Sequence, residues 1–297
     1  MRVTQKILFG NFMRDISKNR AELGKIQSDL SSGRTVRFPS HDPISFQQSR
    51  VIGENIRKEE QYQRNISSGL RQARMAQDTL DKSIDRLVEI KGILVQGATG
   101  TTGESVRANM AEEIAGLRDT LVDTFNLSYG DRYLFAGTNS AVAPFENDEL
   151  AVGGVESHSN TTAPNILAGD GVQVDISVTG TELRDTGSGD MFEVIQQIED
   201  ALLDDDTDAL NGLLDDMDGL IDHATHLTSR LGGNINQMEF MFERYESSAI
   251  YQKSDISELV DTDYAQAFSD LQRTQVAFES AMAVHSTMFG NSLLDYL

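Results

Sequence analysis

Few side chains in this 297-residue sequence are spaced for chemistry. His223 and His226 stand three apart in a helical pattern, so both rings could share one face and ligate a metal, but no carboxylate motif of the zinc-protease kind accompanies them. Asp204, Asp206, Asp208 and Asp215 fall at positions 1, 3, 5 and 12 of a calcium loop. Ala209, however, occupies the place of the glycine that makes the sharp turn, and Asp215 replaces the bidentate glutamate. The run fits better as the acidic first turn of a helix, where carboxylates meet the positive end of the dipole. Gly97, Gly100 and Gly103 lack the Lys-Ser/Thr of a phosphate loop and a preceding apolar strand, and read as a turn between helices. No Gly-x-Ser-x-Gly elbow occurs, and His41, His158 and His285 lie in unrelated segments without a nucleophile partner. With no cysteine there is no thiolate, disulfide or cysteine zinc site. Neither catalysis nor a cofactor nor a metal is expected.

Composition narrows the partners. Lys and Arg total 25 against 47 Asp and Glu, a net charge of -22 that repels nucleic acid. Hydrophobic residues make up 39% and mean hydropathy is -0.35, enough for a core, but there is no run of about 18 apolar residues to span a membrane. The segment Met1 to Gly10 breaks its apolar residues with polar ones and offers no continuous hydrophobic region of a secretory signal.

What remains is periodicity. Phe9, Ile16, Leu23 and Leu30 recur every seven residues, with Phe12, Asn19, Ile26 and Gly33 three places behind, which is the stripe of a coiled-coil seam on a helix over roughly residues 4 to 31. Ser31, Ser32, Gly33 and Arg34 begin an interdomain loop that runs to an Asp42 N-cap and Pro43 in the first turn of a second helix. That helix carries a seam at Ile52, Glu59, Ile66, Ala73, Leu80, Leu87 and Leu94 and ends at the Gly97 to Gly103 turn, after which Met110, Ile114, Leu117 and Leu121 start a third. From about Tyr133 to Gly189 the pattern changes: Val172, Val174, Ile176 and Val178 alternate with polar residues around turns such as Gly169-Asp170-Gly171. Residues 146 to 188 are expected to form a surface β-domain whose removal leaves the helical shaft intact. Helical spacing then returns with Leu210, Met217, Ala224, Leu231, Met238 and Tyr245, and again near the end with Phe268, Gln275, Met282 and Phe289 beside Leu271, Phe278 and His285. The expected fold is mainly α: a long helical bundle or coiled coil built from both chain ends, with a small inserted β-rich domain. Residues 1–42 and 262–297 form a terminal assembly domain, 43–132 and 190–261 a helical shaft, and 133–189 the insertion.

The motifs Leu30-Ser31-Ser32-Gly33-Arg34, Pro39-Ser40-His41-Asp42-Pro43, Ala76-Gln77 and Val95-Gln96-Gly97-Ala98 resemble the N-terminal region of bacterial flagellins. Within that superfamily, the Met1-Arg2-Val3-Thr4 start, Tyr133 to Thr138, Ala143-Pro144-Phe145 and the final Ser292-Leu293-Leu294-Asp295-Tyr296-Leu297 are similar to the hook-filament junction, or hook-associated, proteins. The resemblance implies a structural axial protein of the flagellum, active in motility and secreted by type III export without a cleaved signal. Its implied partners are other copies of itself, a neighbouring hook-associated junction protein, flagellin, and an export chaperone on the C-terminal helix. A flagellin filament subunit and a type III needle-tip or translocator-like protein are the alternatives. The assembly interface then falls on Phe9, Phe12, Ile16, Leu23, Ile26 and Leu30, and on Phe268, Leu271, Phe278, Met282, Phe289, Leu293 and Leu294. A lone amphipathic helix is marginal in water, so both ends are expected to order on assembly.

Overall fold

Aspartates start four of the described helices. Asp42, Asp190, Asp206 and Asp263 each accept two backbone N–H groups from the first turn that follows, at 2.9 to 3.4 Å, which satisfies donors that have no partner inside a helix. The computed structural model describes residues 2–100, 102–148, 150–187 and 189–294; within these, the side chains of 2–6, 8 and 287–294 lie outside the description. In chain order the helices and strands are α1 (Arg2–Ser32), α2 (Pro43–Gly97), α3 (Glu104–Phe125), β1 (Ser128–Tyr129), β2 (Arg132–Tyr133), β3 (Phe145–Asn147), β4 (Val155–Ser157), β5 (Asn165–Gly169), β6 (Val172–Asp175), α4 (Gly180–Arg184), α5 (Met191–Leu203), α6 (Thr207–Val260) and α7 (Tyr264–Leu294).

These elements form two compact units. One joins both chain ends, Met1–Arg57 with Ser248–Leu297, and the other is Lys58–Ser247. Charge divides sharply between them. The end unit holds 12 Lys and Arg against 12 Asp and Glu, the other 13 against 35, so the whole net charge of -22 sits on Lys58–Ser247.

In this larger unit the heptads of α2 and α6 become the core. Ile66, Ala73, Leu80, Leu87 and Leu94 of α2 and Leu210, Met217, Ala224, Leu231, Met238 and Tyr245 of α6 are all buried. The two helices run antiparallel, as pairs along them show: Tyr62 with Tyr245 (5.7 Å between rings), Arg74 with Glu239, and Lys91 with Asp218. Helices α3 and α5 pack beside each other, and Phe125, Phe135, Phe145 and Phe192 interlock at ring separations of 5.4 to 6.5 Å.

Among the described residues the β-rich stretch is three separate antiparallel pairs, β1 with β2, β3 with β4, and β5 with β6. Strands of two to five residues cannot sustain a sheet of their own. They survive by lying on helices: Gly69 of α2 leaves room for Ile166 and Ile176, where a Cβ would come within 3.0 Å of both. Phe145, Val155, Ala168, Val174, Ile176 and Val178 belong to the same apolar cluster as the helical seams. The expectation that the insertion can be removed without harm to the helices is therefore corrected, because its removal would strip one side of their core.

Candidate assembly interface

The expected interface residues lie in the end unit. Helix α1 ends on Gly33, whose φ of 70° lies in the left-handed region that suits glycine, and whose N–H bonds Asp29 O at 2.8 Å. A Cβ there would also press on the Tyr264 hydroxyl at 2.9 Å. Ser32 turns its hydroxyl back to Ser28 O at 2.9 Å, while Ser31 and Arg34 are exposed.

Beyond this turn the two chain ends are stitched together. Thr262 donates its N–H to Gly33 O at 2.9 Å, and Thr35 and Val36 donate theirs to Val260 O at 2.8 and 3.3 Å. The hydroxyl of Thr262, which is buried, donates to Asp29 O at 3.3 Å and lies 3.2 Å from the Thr35 hydroxyl. Arg37 places Nη2 3.0 Å from Asp29 Oδ1 and Nη1 2.6 Å from Ser28 Oγ. The link then closes on Asp42, whose carboxylate is held below the usual range by the Ser45 hydroxyl first and by the N–H groups of Ser45 and Ile44. Pro43 opens α2 behind it.

This stitching sets α1 antiparallel along α7. On α1, Phe12, Ile16, Leu23, Ile26 and Leu30 are half-buried; on α7 the half-buried row is Ala267, Leu271, Thr274, Phe278, Ala281 and His285. Phe12 stacks on His285 with centroids 4.2 Å apart and planes 18° off parallel, and Phe9 meets the same ring at 6.0 Å. Phe268 (56% exposed) and Met282 (48%) face away from this pairing, together with Val276, while Phe9 stays 45% exposed beside His285. The structure thus brings seven of the expected side chains into half-buried positions and leaves three exposed. Phe289, Leu293 and Leu294 fall on the last turns of α7, and their side chains lie outside the described residues.

Sequence reasoning missed the stitching residues Asp29, Thr35, Arg37 and Thr262. The polar run Asp261-Thr262-Asp263, between two apolar-striped helices and capped by Asp263, is the signal that could have marked the joint. The other candidates separate. His223 bonds Glu182 O at 2.8 Å while His226 is exposed; Asp206 caps α6, and Asp205, at φ 58°, pairs with Arg107. Among the described residues no three His, Asp or Glu side chains are gathered as a metal ion would require.

Residues 3–140 match the family described as the bacterial flagellin N-terminal helical region. Flagellar hook-associated protein 3 of Escherichia coli K12 is 24% identical over 312 aligned positions that span 99% of this chain and 98% of that protein. Flagellin A of Vibrio cholerae is 28% identical over 42% of this chain and 33% of its own length. Among solved structures, the flagellar junction protein FlgL of Legionella pneumophila superposes with a TM-score of 0.62 at 15% identity, covering 72% of this chain and 100% of that one. FlgL of Bacillus cereus gives 0.58 at 20% identity, covering 69% and 98%. Residues 3–140 thus match the flagellin N-terminal helical region, and the chain is similar from end to end to flagellar hook-associated protein 3, with the fold of the FlgL structures.

Proposed function

We propose that this chain is a structural axial protein of the bacterial flagellum that joins the hook region to the flagellin filament by self-assembly of its terminal helices. One observation carries the reading: helices from opposite chain ends pair along one face and leave Phe268, Val276 and Met282 about half exposed on the other. Burying a side chain of that kind is worth about 1.5 to 3 kcal/mol, so a row of them favours contact with neighbouring subunits. The similarity to a hook-associated protein over 99% of the chain, against flagellin matches over 42% and 56% of it, favours the junction over the filament's bulk subunit.

In this reading the ends are the assembly domain, residues 43–132 and 190–261 the shaft, and 133–189 a β-rich insertion packed on it. The partners are other copies, the adjoining hook-associated protein and flagellin. An export chaperone covers the apolar row of α7 before assembly, and the chain leaves the cell through the flagellar export channel with no cleaved signal. The protein performs no catalysis.

The test is a deletion strain complemented with a tagged copy and viewed by electron microscopy. Expected are bare hooks and flagellin lost to the medium without the gene, and a label confined to the hook-filament boundary with it. A label spread along the filament would overturn the proposal in favour of a flagellin.

A further inference from the structure

One cleft of the end unit stands out by charge. About 460 Å³ in volume, it lies between the link after α1, the start of α2 and the end of α6, and four arginines line it, Arg34, Arg37, Arg50 and Arg57, without any acidic residue in its wall. Arg37 is tied to Asp29 and Arg50 reaches Glu54 at 3.4 Å, both outside the wall; Arg34 and Arg57 make no ion pair among the described residues. The Nε of Arg37 is buried without a hydrogen-bond partner. Arg50 and Arg57 are two helical turns apart, about 10.5 Å, and Gly53 between them leaves an open notch where a side chain would have nothing within 4 Å.

The other unit carries the counterpart. Asp78, Asp81 and Asp85 are exposed at helical spacings of three and four on α2, so they share one face. None of the three has an ion pair or side-chain hydrogen bond among the described residues, and Lys82 beside them pairs with none of them. Asp78 and Asp85 are also two turns apart. Desolvation first, and the charges of Asp78 and Asp85 after it, raise the pKa of Asp81.

We propose that the arginine cleft binds the Asp78-Asp81-Asp85 face of a second copy, with Asp78 and Asp85 opposite Arg50 and Arg57 and Asp81 over the Gly53 notch. This deepens the assembly reading by naming a contact between neighbouring subunits. Arginine forks match carboxylate geometry, and the matched two-turn spacing fixes the register. The net charge of the two units, neutral and -22, also favours contacts between unlike units over contacts between two acidic ones.

The absence of cysteine makes the test direct. Full-length Gly53→Cys and Asp81→Cys chains are mixed under mild oxidation at concentrations where the chain self-associates. A disulfide-linked heterodimer is expected between the two variants and no comparable homodimer of either alone. Adding Arg50→Glu and Arg57→Glu to the first chain should cut the cross-linked fraction roughly tenfold, and Asp78→Lys with Asp85→Lys in the second should restore it. No heterodimer in associated samples, or no loss on charge reversal, would overturn the contact. Cross-linking that persists in a protein located away from the hook-filament boundary would defeat the proposed function and leave this contact standing.

Discussion

Thr262 donates its amide hydrogen to the carbonyl oxygen of Gly33 across 2.9 Å, joining residues from opposite thirds of the chain. The bond depends on the left-handed turn at Gly33, beneath the Tyr264 hydroxyl. Gly33→Ala should destabilise the end unit by about 1 to 2 kcal/mol, and faster amide exchange at Thr35, Val36 and Thr262 would record it. Removing the hydroxyl with Tyr264→Phe should recover only part of the loss, since Tyr264 Cζ stands 3.9 Å from the new Cβ while the backbone cost remains.

Replacing Ile16, Leu23 and Leu271 with Asp puts three carboxylates into the half-buried face between α1 and α7. Each should cost about 1 kcal/mol or more, enough together to separate the pair. Circular dichroism should show helicity retained by the core of Lys58–Ser247, while cells carrying the variant release flagellin and do not swim.

Glu199 gives the stability a pH dependence of known sign. Burial, more than the neighbouring Asp200 and Asp119, lifts its pKa from 4.5 to about 6 against the opposing pull of Arg118, 3.1 Å away. A carboxyl raised in the folded state binds its proton more tightly than in the unfolded chain. Stability is therefore greatest below about pH 4.5 for this group and declines as pH rises to about 6 and beyond. Relative to Glu199→Gln, the native protein should lose about 1 kcal/mol over that window, after allowance for solvent that reaches the carboxylate, as urea unfolding at stepped pH would measure.

Arg107 fastens the turn between α2 and α3. Its side chain, 5% exposed, donates to Gly97 O at 2.9 Å and Thr99 O at 3.0 Å and pairs with Asp205 at the turn between α5 and α6. Arg107→Met keeps most of the packing but leaves two carbonyls and a carboxylate unanswered. The expected loss is about 2 to 3 kcal/mol in urea unfolding, with no change in helix content below the transition.

The sequence made α2 and α6 legible because both faces of a seam repeat every seven residues with large apolar side chains, and Leu80, Leu87, Leu210 and Met217 are buried as their spacing requires. On α7 the same approach favoured Phe268 and Met282 by size. The row that faces α1 instead mixes Leu271 and Phe278 with Ala267, Thr274 and Ala281, small or polar positions that a search for large apolar residues passes over. Arg107 and the four interlocking phenylalanines were illegible for a different reason: their partners are brought close only by the fold, and contacts of long sequence separation leave no local period. The three strand pairs were visible as β-rich composition, but their dependence on the helices was not, since nothing in Val172 to Val178 names Gly69 as the surface beneath.

The confinement of all 22 excess negative charges to Lys58–Ser247 makes that unit a polyelectrolyte. Packed side by side in an assembly, such units trap a dense layer of cations, and the osmotic pressure of those ions pushes neighbours apart. At an ionic strength of 0.1 M the field of each unit fades within about 10 Å, whereas at 0.01 M it reaches about 30 Å and adjoining ion layers overlap. Assembly from dilute buffer should consequently stall and resume on addition of salt, with divalent cations effective at lower concentration than sodium. The neutral end unit, free of that pressure, is the part able to close into a tight contact first.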